Sequence, residues 1–274
     1  MGTSHRHTPT VKGEPNWGKA SAAVTALVEP IVELNELAQN PPPDKAVKQI
    51  AKREKVLERR KGHYYHKAVS HLISAAGGRA KISSGSSRAL GHAGVAGIGG
   101  FVSALQEIVT NGLLDWLRKK GESIEGKTCR DVIDIIREYI ETGVAGLDNT
   151  AANEALECVL DQLEEKLGEE VENVEGVLSA LIAGDELKDM IDLFFGMYIF
   201  CHLSQDFEEK LEFEKGSDAM RDTMIEIRDQ ILDDIKTCRS GRDVSKIDWG
   251  RPEGDEFIKA EFDRILYILQ GDED

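Results

Sequence analysis

Proline, the strongest helix breaker, is missing from most of the sequence. No proline lies between Pro43 and Pro252, a stretch of about three quarters of the 274 residues. The same stretch lacks runs of alternating β-branched residues bounded by turns, the pattern that is typical of strands. It is rich instead in glutamate, leucine, alanine and lysine, which are good helix formers. These features exclude a sheet-based fold and predict an all-α protein, a multi-helix bundle with a flexible N-terminal lead.

Cysteine is scarce, and its spacing does not suit cross-linking or metal binding. There is no CxxC pair and no Cys/His ligand spacing around the four cysteines, Cys129, Cys158, Cys201 and Cys238. We therefore expect single thiols in a reducing compartment, and no metal or cofactor. The first twenty residues lack the apolar core of a signal peptide, and the longest stretch of apolar and small residues, 93–105, is shorter than the roughly 20 residues that span a bilayer. The sequence predicts a soluble, cytoplasmic protein.

Motifs that carry catalytic chemistry are also missing. The glycine-rich stretch 97–102 lacks the last glycine of a dinucleotide-binding fingerprint and follows no strand, so a loop or close helix packing is the simpler interpretation. His63 and His66 share a helix face but have no acidic or cysteine ligand one turn away. We therefore expect a protein that is not an enzyme. A weaker alternative is a site formed in the fold by distant carboxylates with His63, His66 or His92.

Charge is distributed unevenly along the chain. The formal net charge is −16, but residues 1–100 carry 15 basic and 7 acidic side chains, whereas residues 101–274 carry 19 and 43. The two parts therefore have net charges of +8 and −24. Either they neutralise each other across an internal interface, or the basic part binds an acidic partner or a nucleic acid.

Composition divides the chain into three regions. Residues 1–18 are a flexible tail, residues 19–101 a basic helical segment with a Ser/Gly-rich loop, and residues 102–274 an acidic helical bundle. Hydrophobic periodicity and capping signals predict helices over residues 19–37, 45–76, 102–119, 128–141, 150–167, 174–183, 186–213, 217–240 and 255–270. The apolar run 192–203 is predicted to be the central buried helix.

The basic segment offers one possible nucleic-acid surface. Residues 45–88 contain 12 Lys and Arg. Cations there could contact phosphates while Tyr64 and Tyr65 stack on bases. The candidate contacts are Lys52, Arg53, Arg59, Arg60 and Lys61. A solvated charged face, with no partner, would explain the same pattern. A nucleic-acid-binding adaptor is therefore kept as the alternative function and not as the main one.

Four patches of the chain resemble the QatB family, the helical second component of the Qat anti-phage defence systems. They are the "GTS" after Met1, the stretch "SSRALGHAGVAGIGGFVSAL" at residues 86–105, "GLDNTAANEALECVLDQLEEKL" at residues 146–167, and "DLFFGMYIFCHLSQDFEEKLE" at residues 192–212. Together they comprise 66 of the 274 residues and lie at intervals from residue 2 to residue 212.

The resemblance implies a role as a substrate and scaffold. In such systems the partners are an ATPase, a QueC-like enzyme and a TatD-like nuclease. The QueC-like enzyme is expected to attach a deazaguanine nucleobase to the N-terminal glycine, here Gly2, with Thr3 and Ser4 recognised in its cleft. An extended lead suits this chemistry, because the chain end must enter the pocket of another enzyme. No residue of this chain would then be catalytic.

Overall fold

The computed structural model describes residues 15–39, 47–140, 146–168, 171–238, 247–249 and 252–271. Within these residues it contains eleven α-helices, one short 3₁₀ helix (Val171–Asn173) and no strand, which confirms the all-α prediction. The helices are α1 (Pro15–Gln39), α2 (Val47–Ala75), α3 (Arg79–Ser83), α4 (His92–Asn111), α5 (Leu113–Lys119), α6 (Cys129–Ile140), α7 (Leu147–Leu167), α8 (Val174–Ala183), α9 (Glu186–Lys215), α10 (Ser217–Thr237) and α11 (Pro252–Gln270).

Helices α1 and α2 form an antiparallel pair. Apolar residues of α1, among them Leu27 and Ile31, are buried in the core. Along the edge of the pair, Arg53 of α2 donates to Glu33 of α1 at 2.7 Å. Two turns further along α2, and one turn back along α1, Arg60 donates to Glu29 at 2.8 Å. The order of these contacts fixes the antiparallel direction.

Helix α9 lies at the centre of the bundle, as the apolar run 192–203 predicts. It packs against α7 on one side and α10 on another, and it also contacts α1, α4, α8 and α11. The Phe195 ring stacks on Phe262 of α11, with 4.1 Å between ring centroids. At Gly196, a Cβ atom would lie 2.9 Å from Leu232 of α10, so this glycine lets the two helices approach closely.

Helix α4 begins ten residues before the start that the sequence predicts. The prediction placed a loop up to Val102, whereas the helix starts at His92 and ends at Asn111. Gly112, with a φ of +86°, separates it from α5. The predicted single helix over residues 102–119 is therefore wrong. The glycines that favoured a loop allow close helix packing instead. Gly94 faces Tyr198, and a Cβ at position 97 would lie 3.5 Å from the Phe194 ring.

Among the described residues, α4 is the one helix long and apolar enough to cross a bilayer. It packs against six other helices, α5, α6, α7, α8, α9 and α11. Eight of its residues are buried, including Ile98, Phe101 and Leu105. Its apolar character is therefore used inside the protein core.

The predicted regional boundaries differ from the observed elements at two points. Residues 15–18 belong to the first turn of α1, so the predicted tail over residues 1–18 is four residues too long; residues 1–14 lie outside the described residues. A proline is tolerated at the first helical position, because the N–H groups of a first turn have no partner within the helix. The predicted boundary between residues 101 and 102 falls inside α4.

We expect Gly94→Ala to destabilise the protein and Gly99→Ala, on the same helix, to stabilise it. A Cβ at position 94 would lie 2.5–2.9 Å from three atoms of the buried Tyr198 ring, whereas a Cβ at position 99 would meet no atom within 4 Å. Overpacking of this kind costs about 1–3 kcal/mol. Alanine in a helix interior is favoured over glycine by about 0.5–1 kcal/mol.

Urea unfolding of both variants, followed by circular dichroism at 222 nm, measures the two changes in the free energy of unfolding. Equal effects of the two substitutions would contradict the close contact between Gly94 and Tyr198.

Candidate functional site

The first buried polar group is centred on Asp148, at the start of α7. Its carboxylate accepts hydrogen bonds from the backbone N–H of Gly91 at 3.2 Å and of Ala93 at 2.7 Å, at the N-terminus of α4. The hydroxyl of Tyr198 donates to Asp148 and accepts from the Gly91 N–H at 2.6 Å. Nε2 of His202 lies 3.1 Å from the same carboxylate. We call these five residues the Asp148 network.

Asp148 is ionised in this setting. Burial alone would raise the pKa of Asp148, but hydrogen bonds from His202, from Tyr198 and from the Ala93 N–H outweigh burial and hold the pKa below its usual range. Burial and the neighbouring carboxylate raise the pKa of Tyr198 well above its usual value, so Tyr198 stays protonated. The ionised Asp148 accepts from backbone N–H groups, and the protonated Tyr198 donates to Asp148. This pair suits a helix cap, because the N-terminus of α4 presents N–H groups and the positive end of the helix dipole.

The second buried group ties α9 to α11. Lys188 of α9 contacts Asp192 at 2.7 Å and Glu261 of α11 at 3.0 Å. Arg264 contacts the same two carboxylates, at 3.1 Å and 2.6 Å. Burial and the neighbouring Glu261 raise the pKa of Asp192 to about 6. We call these four residues the ion cluster; its charges balance within the cluster, as burial of ions requires.

Both groups are enclosed by the fold. The side chains of His202 and Lys188 are each 3% exposed. The Tyr198 ring stacks on Phe194 and meets the edge of Phe262. One surface groove of about 420 Å³ lies between α1, α2 and α10, and another of about 400 Å³ lies between α9 and α10; neither is lined by a residue of either buried group.

These two groups escaped prediction from the sequence. Residues of one group lie far apart in the sequence; Gly91 and His202 are 111 positions apart. No local spacing therefore links them. One signal was present: Lys188, Asp192 and His202 interrupt or border the most apolar part of α9. A charged or titratable residue in a helix that is apolar on all sides must find a buried partner.

The residues predicted for modification, Gly2, Thr3 and Ser4, lie outside the described residues. The structure does describe the start of α1 at Pro15, which follows the N-terminal lead in the sequence. Trp17, in the first turn of α1, packs on Phe207 of α9 with 5.4 Å between ring centroids. One turn further, Ser21 accepts a hydrogen bond from Lys210 of α9 at 2.7 Å. The start of α1 is therefore fixed on the C-terminal half of α9.

The five predicted nucleic-acid contacts fall into two sets. Arg53 and Arg60 pair with acidic residues of α1, as described above. Lys61 pairs with Glu226 of α10 at 2.5 Å, which joins the basic part of the chain to the acidic part. Lys52 and Arg59 are exposed and have no ion-pair partner in the part of the chain that the structure describes.

Of the three histidines considered as catalytic candidates, His63 and His66 lie one turn apart on α2 and His92 begins α4. His63 is exposed on α2. Nδ1 of His66 lies 3.2 Å from the carbonyl oxygen of Leu269, and Nδ1 of His92 lies 3.0 Å from that of Gly85. Among the described residues, no group of three or more His, Cys, Asp or Glu is arranged to hold a metal ion.

We expect Lys188→Met to destabilise the protein strongly and Lys166→Met to have little effect. Removal of the Lys188 ammonium leaves two buried carboxylates with one cation, which costs about 3–5 kcal/mol for a buried pair that loses one partner. Lys166 pairs with Glu186 at 2.9 Å on the surface, where such a pair contributes less than about 1 kcal/mol. Urea unfolding at pH 7 compares the two variants, and similar losses would contradict the structural role of the ion cluster.

We expect Asp206→Asn to stabilise the protein at pH 7.5 much more than at pH 4.5. Burial raises the pKa of Asp206 from 3.8 to about 6, so the folded state holds this proton more tightly than the unfolded chain. The resulting stabilisation is complete below pH 3.8 and is lost as the pH rises through about 6. Asparagine is neutral at both pH values and avoids the cost of a buried carboxylate at pH 7.5.

Thermal unfolding of the wild type, Asp206→Asn and a control at an exposed aspartate of α7, Asp161→Asn, measures this pH dependence. A gain in melting temperature that is the same at pH 4.5 and pH 7.5 for Asp206→Asn would contradict the burial of this carboxyl.

Comparisons with protein-family models, with curated proteins and with solved structures give no match to this chain. A proposal for its function therefore rests on its own residues, on the positions that the fold gives them, and on the four patches that resemble the QatB family. The buried polar residues connect helices, and the outer face of α2 is exposed in the described part of the chain.

Proposed function

We propose that the chain is a non-catalytic helical scaffold of a Qat-type anti-phage defence system in the cytoplasm. In this proposal a QueC-like partner attaches a deazaguanine nucleobase to the amine of Gly2, and Thr3 and Ser4 lie in the cleft of that enzyme. An ATPase and a TatD-like nuclease of the same system are further partners. Three of the four resembling patches correspond to described helices: α4 with the loop before it, α7, and α9.

The observation that carries this proposal is that the buried titratable groups hold helices together. Asp148 accepts from backbone N–H groups at the N-terminus of α4 and contacts His202 of α9, and Lys188 and Asp192 join α9 to α11. The burial of these four residues, and the perturbed pKa values of Asp148 and Asp192, would otherwise suggest a catalytic site. Since each already serves to hold helices together, we place the chemistry at the lead, where another enzyme performs it.

The attachment of α1 supports the presentation of the lead. The contact between Trp17 and Phe207 fixes the start of α1 on the body. Thirteen peptide steps separate Gly2 from Pro15, and an extended chain of this length spans at most about 45 Å. That reach is sufficient for the amine to enter the pocket of an enzyme that docks on the helical body.

Intact-mass spectrometry after co-expression with an active QueC-like partner tests the proposal. We expect loss of Met1 and a nucleobase-sized mass increase that tandem mass spectrometry locates on Gly2. The control is Gly2→Glu, in which the large second residue retains Met1 and leaves no glycine amine. An unmodified Gly2 beside an active partner, or an adduct of equal yield on Gly2→Glu, would overturn the proposal.

A further inference from the structure

The exposed cations of α2 are separate from those that the fold uses. Arg53, Arg60 and Lys61 point to α1 and α10 and are paired there. The other side of the helix carries six exposed residues spaced three or four positions apart, Lys48, Lys52, Lys55, Arg59, His63 and Lys67. Since residues at this spacing share one face of an α-helix, they form a continuous line, which we call the α2 basic face.

The α2 basic face is unoccupied by the rest of the described chain. None of its six residues has an ion-pair partner among the described residues. The acidic side chains that contact α2 approach from other directions: Glu29 and Glu33 from α1, and Glu226 from α10. The internal neutralisation of the two halves is therefore partial, and it leaves this line of positive charge at the surface.

The dimensions of the face suit a linear polyanion. From Lys48 to Lys67 the helix rises about 28 Å, at 1.5 Å per residue. Neighbouring residues of the face are about 4.5–6 Å apart along the helix axis. A nucleic-acid duplex carries one phosphate per 3.4 Å of each strand, so a face of this length covers about eight base pairs.

The residues beside the cations disfavour other partners. Val56, which is 50% exposed, is the one large apolar residue exposed on the described part of α2. Protein interfaces are built around aromatic and apolar anchors and are poor in lysine, and an interfacial membrane helix needs an apolar face. Single strands need exposed aromatic rings for stacking, whereas Tyr65 is 2% exposed and Tyr64 packs against the core.

We infer that the α2 basic face binds the phosphate backbone of double-stranded nucleic acid without reading its sequence. Lysine and arginine at this spacing neutralise phosphates and release counterions, which is the source of sequence-independent affinity. The acidic part of the chain repels a polyanion, so binding is confined to this face and is steeply weakened by salt. This inference does not depend on the modification of Gly2.

Fluorescence anisotropy with a labelled 20-base-pair DNA duplex, and with an RNA duplex of the same length, tests the inference. Five cations of the face that each neutralise one phosphate give a slope of log K against log salt of about −4.5 for DNA. The double variant Lys52→Glu/Arg59→Glu is expected to weaken binding at 50 mM NaCl by more than tenfold. The control Lys119→Glu/Lys259→Glu changes the net charge equally at exposed positions of α5 and α11 and is expected to bind almost as the wild type.

Three outcomes would overturn the inference. The first is equal loss of binding in the two double variants, which would show that only net charge matters. The second is no binding of either duplex at 20 mM NaCl. The third is binding of vesicles that contain phosphatidylserine, or salt-sensitive self-association by analytical ultracentrifugation, with no binding of either duplex. Melting temperatures of both variants near that of the wild type are the control for folding.

Discussion

Gly91 and Ala93, at the N-terminus of α4, are buried, so their backbone N–H groups need acceptors inside the protein. A helix normally supplies such an acceptor from the residue before it, but that residue is Gly91, which has no side chain. The acceptor comes instead from Asp148, more than fifty residues later, and the same carboxylate binds Tyr198 and His202 of α9. A single ionised group therefore sets the relative positions of α4, α7 and α9. Because a buried unpaired carboxylate is unfavourable, the contacts of Asp148 form together or not at all, which favours one arrangement of the three helices.

Helix α9 carries the second constraint as well. Its N-terminal half holds Lys188 and Asp192, which bind α11, and its middle holds Tyr198 and His202, which bind α4 and α7. Apolar packing alone would allow a long helix to slide or rotate among its neighbours at little cost, since one leucine contact resembles another. Charged and hydrogen-bonded pairs tolerate much smaller displacements. Such pairs add little net stability compared with apolar residues of the same shape, but they select one register.

The sequence predicted the elements better than their contacts. Helix α8 was placed at its observed bounds, and the start of α9 at Glu186 was also correct, because local capping and periodicity carry that information. The start of α4 was missed because Gly94 and Gly97 look like loop residues until the rings of Tyr198 and Phe194 are placed against them. The Asp148 network joins residues from three distant segments, so no local pattern encodes it. On α2 the needed information was local: helical spacing puts Lys52 and Arg59 on one face and Arg53 and Arg60 on another.

The antiparallel pairing of α1 and α2 also sets the distance between the two surfaces proposed to meet partners. Arg53 lies beside Glu33 and Arg60 lies beside Glu29, so the middle of the α2 basic face is level with this part of α1, whereas the lead joins α1 at Pro15. Fourteen and eighteen helical steps separate Pro15 from Glu29 and Glu33, which corresponds to about 21 and 27 Å. Trp17 holds the start of α1 on α9, and the ion pairs hold its second half on α2, so this separation is fixed by packing on both sides. Because α2 runs antiparallel to α1, the Lys67 end of the face points toward the start of α1. A duplex that covered the whole face would therefore approach an enzyme bound at the lead, whereas one bound at the Lys48 end would stay clear of it.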